Sequence, residues 1–168
     1  MPSPPGAVAP FVYEGPLRRA MGALKYDRDL SRVGPLARLL RTATALLQSG
    51  LAEVIPVPLH RTRQRRRGFN QAELLLRRAV HGRGLRVRGR LRRVRATPPQ
   101  VGLPPAARRT NVAGAFALRR GAEPALRGRH VLLFDDVVTT GATMEAASAP
   151  LRAAGAQVSV LALLQAVA

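Results

Sequence analysis

The last third of this chain admits few folds. HVLLF, ending at Phe134, is wholly apolar after its first residue and reads as a buried strand. Two acids and a Thr/Gly turn follow, and GATMEAASAPLRAAGA then reads as a helix with Gly155 at its end. QVSVLALL is the next strand. Pro150 is expected to bend that helix or start a new turn. Strand, helix and strand in this order predict an α/β domain around a mainly parallel sheet.

The upstream pattern agrees. Pro2, Pro4, Pro5 and Pro10 predict an extended, loose leader over residues 1–12, with a single domain from 13 to 168. Leu17, Ala20, Met21 and Leu24 recur at helical spacing, as do Leu36, Leu39, Leu40, Ala43 and Leu47. AEVIPVPLH predicts a strand ending near Ile55, because Pro56 and Pro58 suit a loop better than a central strand. Asn70 with Glu73 resembles a capping box ahead of a helix that carries Ala72, Leu75, Leu76, Ala79 and Val80 on one face. LRVRGRLRRVRAT reads as one or two short basic strands, and Gly114 to Leu118 as another. Between them lies a Pro-rich loop of a size that is usually functional or disordered.

At 168 residues the chain suits one domain with a real core. It has no cysteine, which excludes disulfides, thiolate zinc sites and cysteine nucleophiles. MPSPPGAVAP lacks the features of a signal peptide, and VSVLALLQAVA is far short of the ~20 residues that cross a bilayer. No membrane insertion and a cytoplasmic location are expected.

The chemistry concentrates where the sheet pattern places a ligand site, beyond the carboxyl end of a strand. Asp135 and Asp136 close the strand, and Thr139, Thr140, Gly141, Ala142 and Thr143 lead into the helix. Backbone N–H groups in such a turn converge on an anion, and the helix dipole favours negative charge there. A phosphate held by the loop leaves the carboxylates about one sugar away, where they accept ribose hydroxyls or hold Mg²⁺ through water. The alternative of a solvated strand end and plain helix caps stands beside this reading. A P-loop hydrolase is excluded: it needs GxxxxGK followed by Ser or Thr, and the only lysine, Lys25, lies in ALKYD.

The run VLLFDDVVTTGAT, Val131 to Thr143, resembles the signature with which type I phosphoribosyltransferases bind 5-phosphoribosyl-1-diphosphate (PRPP). Together with YEGPLRRAMGALKYDRD, IPVPLHRTRQRRRGFNQAELL and TPPQVGLPPAARRTNVAGAF, it resembles the ComF family of competence-associated phosphoribosyltransferase-like proteins. The resemblance implies a five-stranded, mainly parallel sheet flanked by helices, with a small hood and a flexible loop that closes over PRPP. It places Asp135 and Asp136 at the ribose, Thr139 to Thr143 at the 5-phosphate, and Val57, Pro58, Leu59, His60 and Arg61 near the diphosphate. The flexible loop would be Thr97 to Asn111, with Gln100, Arg108 and Asn111 as its polar positions. Arg67, Asn70 and Gln71 belong to the most family-specific stretch, or they only start a helix. Many members begin with a four-cysteine zinc module. Without cysteine no zinc is expected here; either this branch lacks the module or the start lies upstream.

The formal charge of +19 comes almost entirely from arginine. Codon bias accounts for arginine over lysine, not for the scarcity of acids, so an anionic partner is expected. Between His60 and Arg95 stand fourteen arginines and one acid, Glu73. Arg88, Arg90, Arg92 and Arg93 are candidates for a track that binds single-stranded DNA through its phosphates. Six aromatic residues form no obvious base-recognition motif. Three readings therefore remain: a PRPP-binding protein of DNA uptake, a transferase of nucleobase metabolism, and a nucleic-acid module with a regulatory or vestigial PRPP site. The acceptor and the oligomeric state are not written in the sequence. The loop reading predicts proteolysis near Arg108 or Arg109 that PRPP slows; equal cutting with and without PRPP removes the case for closure.

Overall fold

The computed structural model of the chain describes residues 7–45, 50–96 and 110–166. In chain order, β1 (Ala7–Val8) and β2 (Phe11–Val12) lead into α1 (Gly15–Gly22), a π-helical turn (Ala23–Asp27) and α2 (Val33–Ala45). Next come β3 (Glu53–Pro56), α3 (Arg61–Arg67), α4 (Gln71–Val80), β4 (Leu91–Arg93) and β5 (Phe116–Leu118). The chain ends with β6 (His130–Val138), α5 (Ala142–Ala153) and β7 (Gln157–Gln165).

β1, β2, β3, β6 and β7 form the expected five-stranded parallel sheet. β6 lies inside it, with Leu133 opposite Ile55 of β3 on one side and Val160 of β7 on the other. The sheet gains one further contact at Val54, whose N–H donates to Arg86 O at 2.9 Å and whose carbonyl accepts Arg88 N–H at 2.9 Å. β4 and β5 pair antiparallel as the separate small hood.

Pleating divides the core in two. Leu132 and Phe134 pack with Met21, Leu24, Leu36, Leu40, Leu75 and Leu76, which covers one face with α1, α2 and α4. Val131 and Leu133 pack with Met144, Ala147 and Leu151 of α5 and with Leu91 and Phe116 of the hood. Each large side chain buried here contributes about 1.5–3 kcal/mol.

Several local expectations need correcting. Residues 7–12, expected as part of a loose leader, pair with the outer edge of β7: Ala7 lies opposite Val160 and Phe11 opposite Leu164. Pro10, which has no N–H to give a ladder, sits in the gap between the two short strands. β6 runs past Phe134 to Val138, still paired with β7, so both acids are strand residues. The capping box is half made. Asn70 Oδ1 accepts Ala72 N–H at 3.0 Å, but Glu73 turns to Arg77 at 2.7 and 3.0 Å. Pro150 needs no such correction: it lies inside α5, where the sequence pattern puts it, three residues before the helix ends.

α3 has no apolar residue and was invisible to periodicity. Its ends hold it instead. His60 caps the start, with Nδ1 2.8 Å from Thr62 Oγ1, and Gly68, at φ 93°, sends its N–H to Gln64 O at 2.8 Å. Arg65, Arg66 and Arg67 complement the dipole at its last turn.

The two-faced core predicts that Leu132→Ala costs about 2–5 kcal/mol. The exposed Val12→Ala should stay within about 0.5 kcal/mol. Urea unfolding checks both as a lowered midpoint at unchanged slope for the first and no shift for the second.

Candidate functional site

The site is built at the carboxyl end of β6. Val57 N–H donates to Phe134 O at 2.8 Å, which lays the start of the 57–61 segment beside the point where β6 turns acidic. Asn70 Nδ2 donates to Val57 O at 3.0 Å and fixes that segment from α4. Past Val138 the chain turns through Thr139, whose carbonyl accepts Gln165 Nε2 at 3.2 Å. Gly141 then takes φ 80°, ψ −3°, a left-handed conformation that few side chains tolerate, and α5 starts at once.

No side chain caps α5, and its first intrahelical donor in this turn is Glu145 N–H, to Gly141 O at 2.9 Å. The N–H groups ahead of it end at the loop, as at any helix start. Thr140 Oγ1 is buried there without a hydrogen-bond partner, and a buried hydroxyl in that state is costly unless a ligand completes it. A helix start without a side-chain cap, the unpartnered Thr140 hydroxyl and a close backbone turn suit a phosphate.

The carboxylates sit in unlike surroundings. Asp136 is 3% exposed and lies on the side of Leu132 and Phe134. Its Oδ2 is ion-paired with Lys25 Nζ, and its Oδ1 accepts Gln71 Nε2 at 3.1 Å. Arg67 donates in turn to Gln71 Oε1 and stands over the Tyr26 ring at 6.0 Å. Burial pushes the Asp136 carboxyl up, but the Lys25 charge and hydrogen bonds from Asp135, Lys25 and Gln71 together hold it below its ordinary value. Burial likewise opposes the Lys25 ammonium, and Asp136 outweighs it, leaving Lys25 above its ordinary value. Asp135 is half-buried; desolvation and the neighbouring Asp136 charge push it well above the usual carboxylate range.

Other expected positions are spread around this centre. Val57 is buried, Pro58, Leu59 and His60 are half-buried, and Arg61 is exposed at the start of α3. Arg61, Gln64, Arg65, Gly68 and Arg119 line a cleft of about 500 Å³ between α3 and the hood, with no acid in its wall. Asn111 is half-buried in a helical turn at 110–112, whereas Gln100 and Arg108 lie outside the described residues. Of the basic candidates, Arg88 and Arg92 are exposed. Arg90 instead grips Glu53 with two bonds of 2.7 and 2.8 Å, and Arg93 packs 5.2 Å from the Phe116 ring centre.

Lys25 was missed as a site residue. As the only lysine in an arginine-rich chain it was the available signal, but its partner lies far away in sequence. Among the described residues no group of three or more His, Cys, Asp or Glu gathers, and no helix is long and apolar enough to cross a membrane.

No protein-family model matches the chain. It is 37% identical over 155 residues to the DNA utilization protein YhgH of Salmonella typhi, covering 88% of this chain and 66% of that protein. It is 39% identical over 133 residues to competence protein F of Haemophilus influenzae, covering 78% and 57%. The chain thus spans about two thirds or less of these curated relatives. Among solved structures it resembles the glutamine PRPP amidotransferase of B. subtilis complexed with ADP and GMP. That match has TM-score 0.56 and 17% identity, and covers 85% of this chain and 30% of the other, a likeness of fold. The fold is that of the type I phosphoribosyltransferases, and the chain belongs to the ComF family, with competence protein F and the DNA utilization proteins.

Proposed function

We propose that this chain binds PRPP with Mg²⁺ at the β6–α5 turn and works in the uptake or use of DNA, in the cytoplasm. The observation that carries the reading is the uncapped start of α5 behind Gly141, with the buried Thr140 hydroxyl facing no partner, next to the acidic end of β6. The 5-phosphate would take the loop, and the ribose hydroxyls the carboxylate end of the strand. The 57–61 segment, held beside Phe134, would face the diphosphate. The donor set suits Mg²⁺, which takes one or two carboxylates and completes its shell from substrate phosphates and water. When bound, it neutralises charge on the diphosphate; the chain's own residues orient the sugar. The names of the relatives support the DNA link, and the fold supports PRPP.

A second reading, binding of single-stranded nucleic acid, is favoured by the exposed arginines of α3 and of the 86–92 stretch. Guanidinium pairs with phosphate through two bonds, and with few aromatics the attraction is electrostatic. A transferase reading needs an acceptor, and acceptor-dependent release of diphosphate would select it.

Asp135→Asn combined with Asp136→Asn should abolish or severely weaken Mg–PRPP binding in a calorimetric titration, run at a temperature where circular dichroism shows the variant folded, since it also removes the buried partner of Lys25. Binding as tight as the parent's would displace the site. For nucleic acid, Arg88→Ser with Arg92→Ser should flatten the salt dependence of single-strand binding, log K losing about 0.7 per phosphate contact for each tenfold rise in salt. These two are exposed, so the test spares the Arg90–Glu53 pair. An unchanged slope places the nucleic-acid surface elsewhere.

A further inference from the structure

We infer that the arginine-lined cleft between α3 and the hood seats the phosphate chain of single-stranded nucleic acid, apart from the β6–α5 turn. The inference rests on the nucleic-acid reading above and gives it a place in the fold.

α3 presents two sides. Arg61 and Arg65 are one turn apart, so they reach the cleft together, with Gln64 and Gly68 beside them. Arg67 turns the other way, to Gln71 and the Tyr26 ring. Across the cleft stands Arg119, whose Nε donates to Leu91 O at 3.2 Å and ties its guanidinium to the hood. Three guanidinium groups thus line a space of about 500 Å³ that has no acid in its wall. Among the described residues none of the three belongs to an ion pair. Like charges in a concave wall repel one another and focus their field into the cleft. An entering anion relieves the repulsion and is drawn by the field.

The wall is built before any ligand arrives. His60 and Gly68 pin the two ends of α3, and Arg28 Nη2 donates to Arg66 O at 2.6 Å. Little backbone ordering is left for binding to supply. Guanidinium also matches phosphate oxygens through two parallel bonds. The positive surface continues beyond the cleft. Exposed Arg92 reaches Leu118 O, next to Arg119, at 3.4 Å, and exposed Arg88 precedes it in the same stretch. A row of such groups suits a repeating phosphate better than one isolated anion. A duplex, whose major groove alone is about 12 Å wide, does not enter a space of this volume, whereas one phosphate–sugar chain does.

The test is fluorescence anisotropy of a labelled oligothymidylate with the full chain, read across a salt series. Arg65→Ser with Arg119→Ser should weaken binding about tenfold or more at low salt. It should also reduce the slope of log K against log salt by about 1.4, two phosphate contacts at about 0.7 each. Arg65→Ser alone, at an exposed position outside every ion pair among the described residues, should take about half of that change and guards against a misfolded double variant. Arg129→Ser with Arg152→Ser removes the same charge from exposed positions at the opposite end of the sheet and should leave the slope unchanged. Mg–PRPP affinity, by calorimetry, should stay within about twofold in the cleft variant. An unchanged slope in the cleft variants would overturn the inference, while the nucleic-acid reading would survive on other arginines. Equal losses in the cleft and opposite-end variants would show a general field and no site, and a collapse of PRPP binding would give the cleft to PRPP. Inorganic triphosphate or a duplex that binds as tightly, with the same dependence on Arg65 and Arg119, would replace the single strand as occupant. A parent chain without salt-sensitive binding would remove the nucleic-acid reading and the role of the cleft with it.

Discussion

A strand paired along both edges and covered on both faces has one place for polar side chains, its carboxyl end. β6 is such a strand: β3 and β7 flank it, and helices close both faces. Past His130 at its entry, the part paired with β3 is therefore apolar, and carboxylates enter only where that pairing has stopped, after Phe134. Even there burial continues, so a carboxylate on the strand requires compensation from inside the protein. Lys25 and Gln71 supply it, and that need draws the N-terminal helix and α4 onto the strand. The unlike electrostatic states of Asp135 and Asp136 follow from Lys25 and Gln71, which both bond to Asp136.

How much was legible in the sequence depended on the range of the interaction. The strand–helix–strand unit was readable because apolar runs and helical spacing repeat within a few residues, and so was the cap at Asn70. The second half of the capping box was misread because Arg77, one turn on, gives Glu73 a charged partner that a backbone N–H does not match. α3 escaped because its order comes from two end contacts and not from an apolar face. At the site, the acids, threonines and Gly141 formed a contiguous word. The Lys25–Asp136 contact is made across the fold, and no local pattern encodes it.

The high charge has a structural share that composition conceals. Arg41 donates to Ala79 O and His81 O at the end of α4, Arg83 to Arg41 O, and Arg95 to Ala113 O. Arg119 reaches Leu91 O in the hood. These guanidinium groups occupy carbonyls that helix ends and short strands leave open. Lysine, with a compact ammonium and no planar fork, suits such double reach less well. Other arginines stay exposed, on α1, α3 and α4 and at Arg88 and Arg92 among other places.

The outer margin of the sheet is closed by two very short strands with a proline between them. β7 offers the apolar row VSVLALL, and β1 and β2 cover it at Val160–Leu161 and Leu164–Gln165. An exposed row of that kind is a template for pairing with other chains. The segment at 7–12 therefore acts as a shield: it occupies the edge, and Pro10 denies a neighbour a continuous ladder. Trimming those few residues would expose an aggregation-prone edge on β7 without touching the β6–α5 turn.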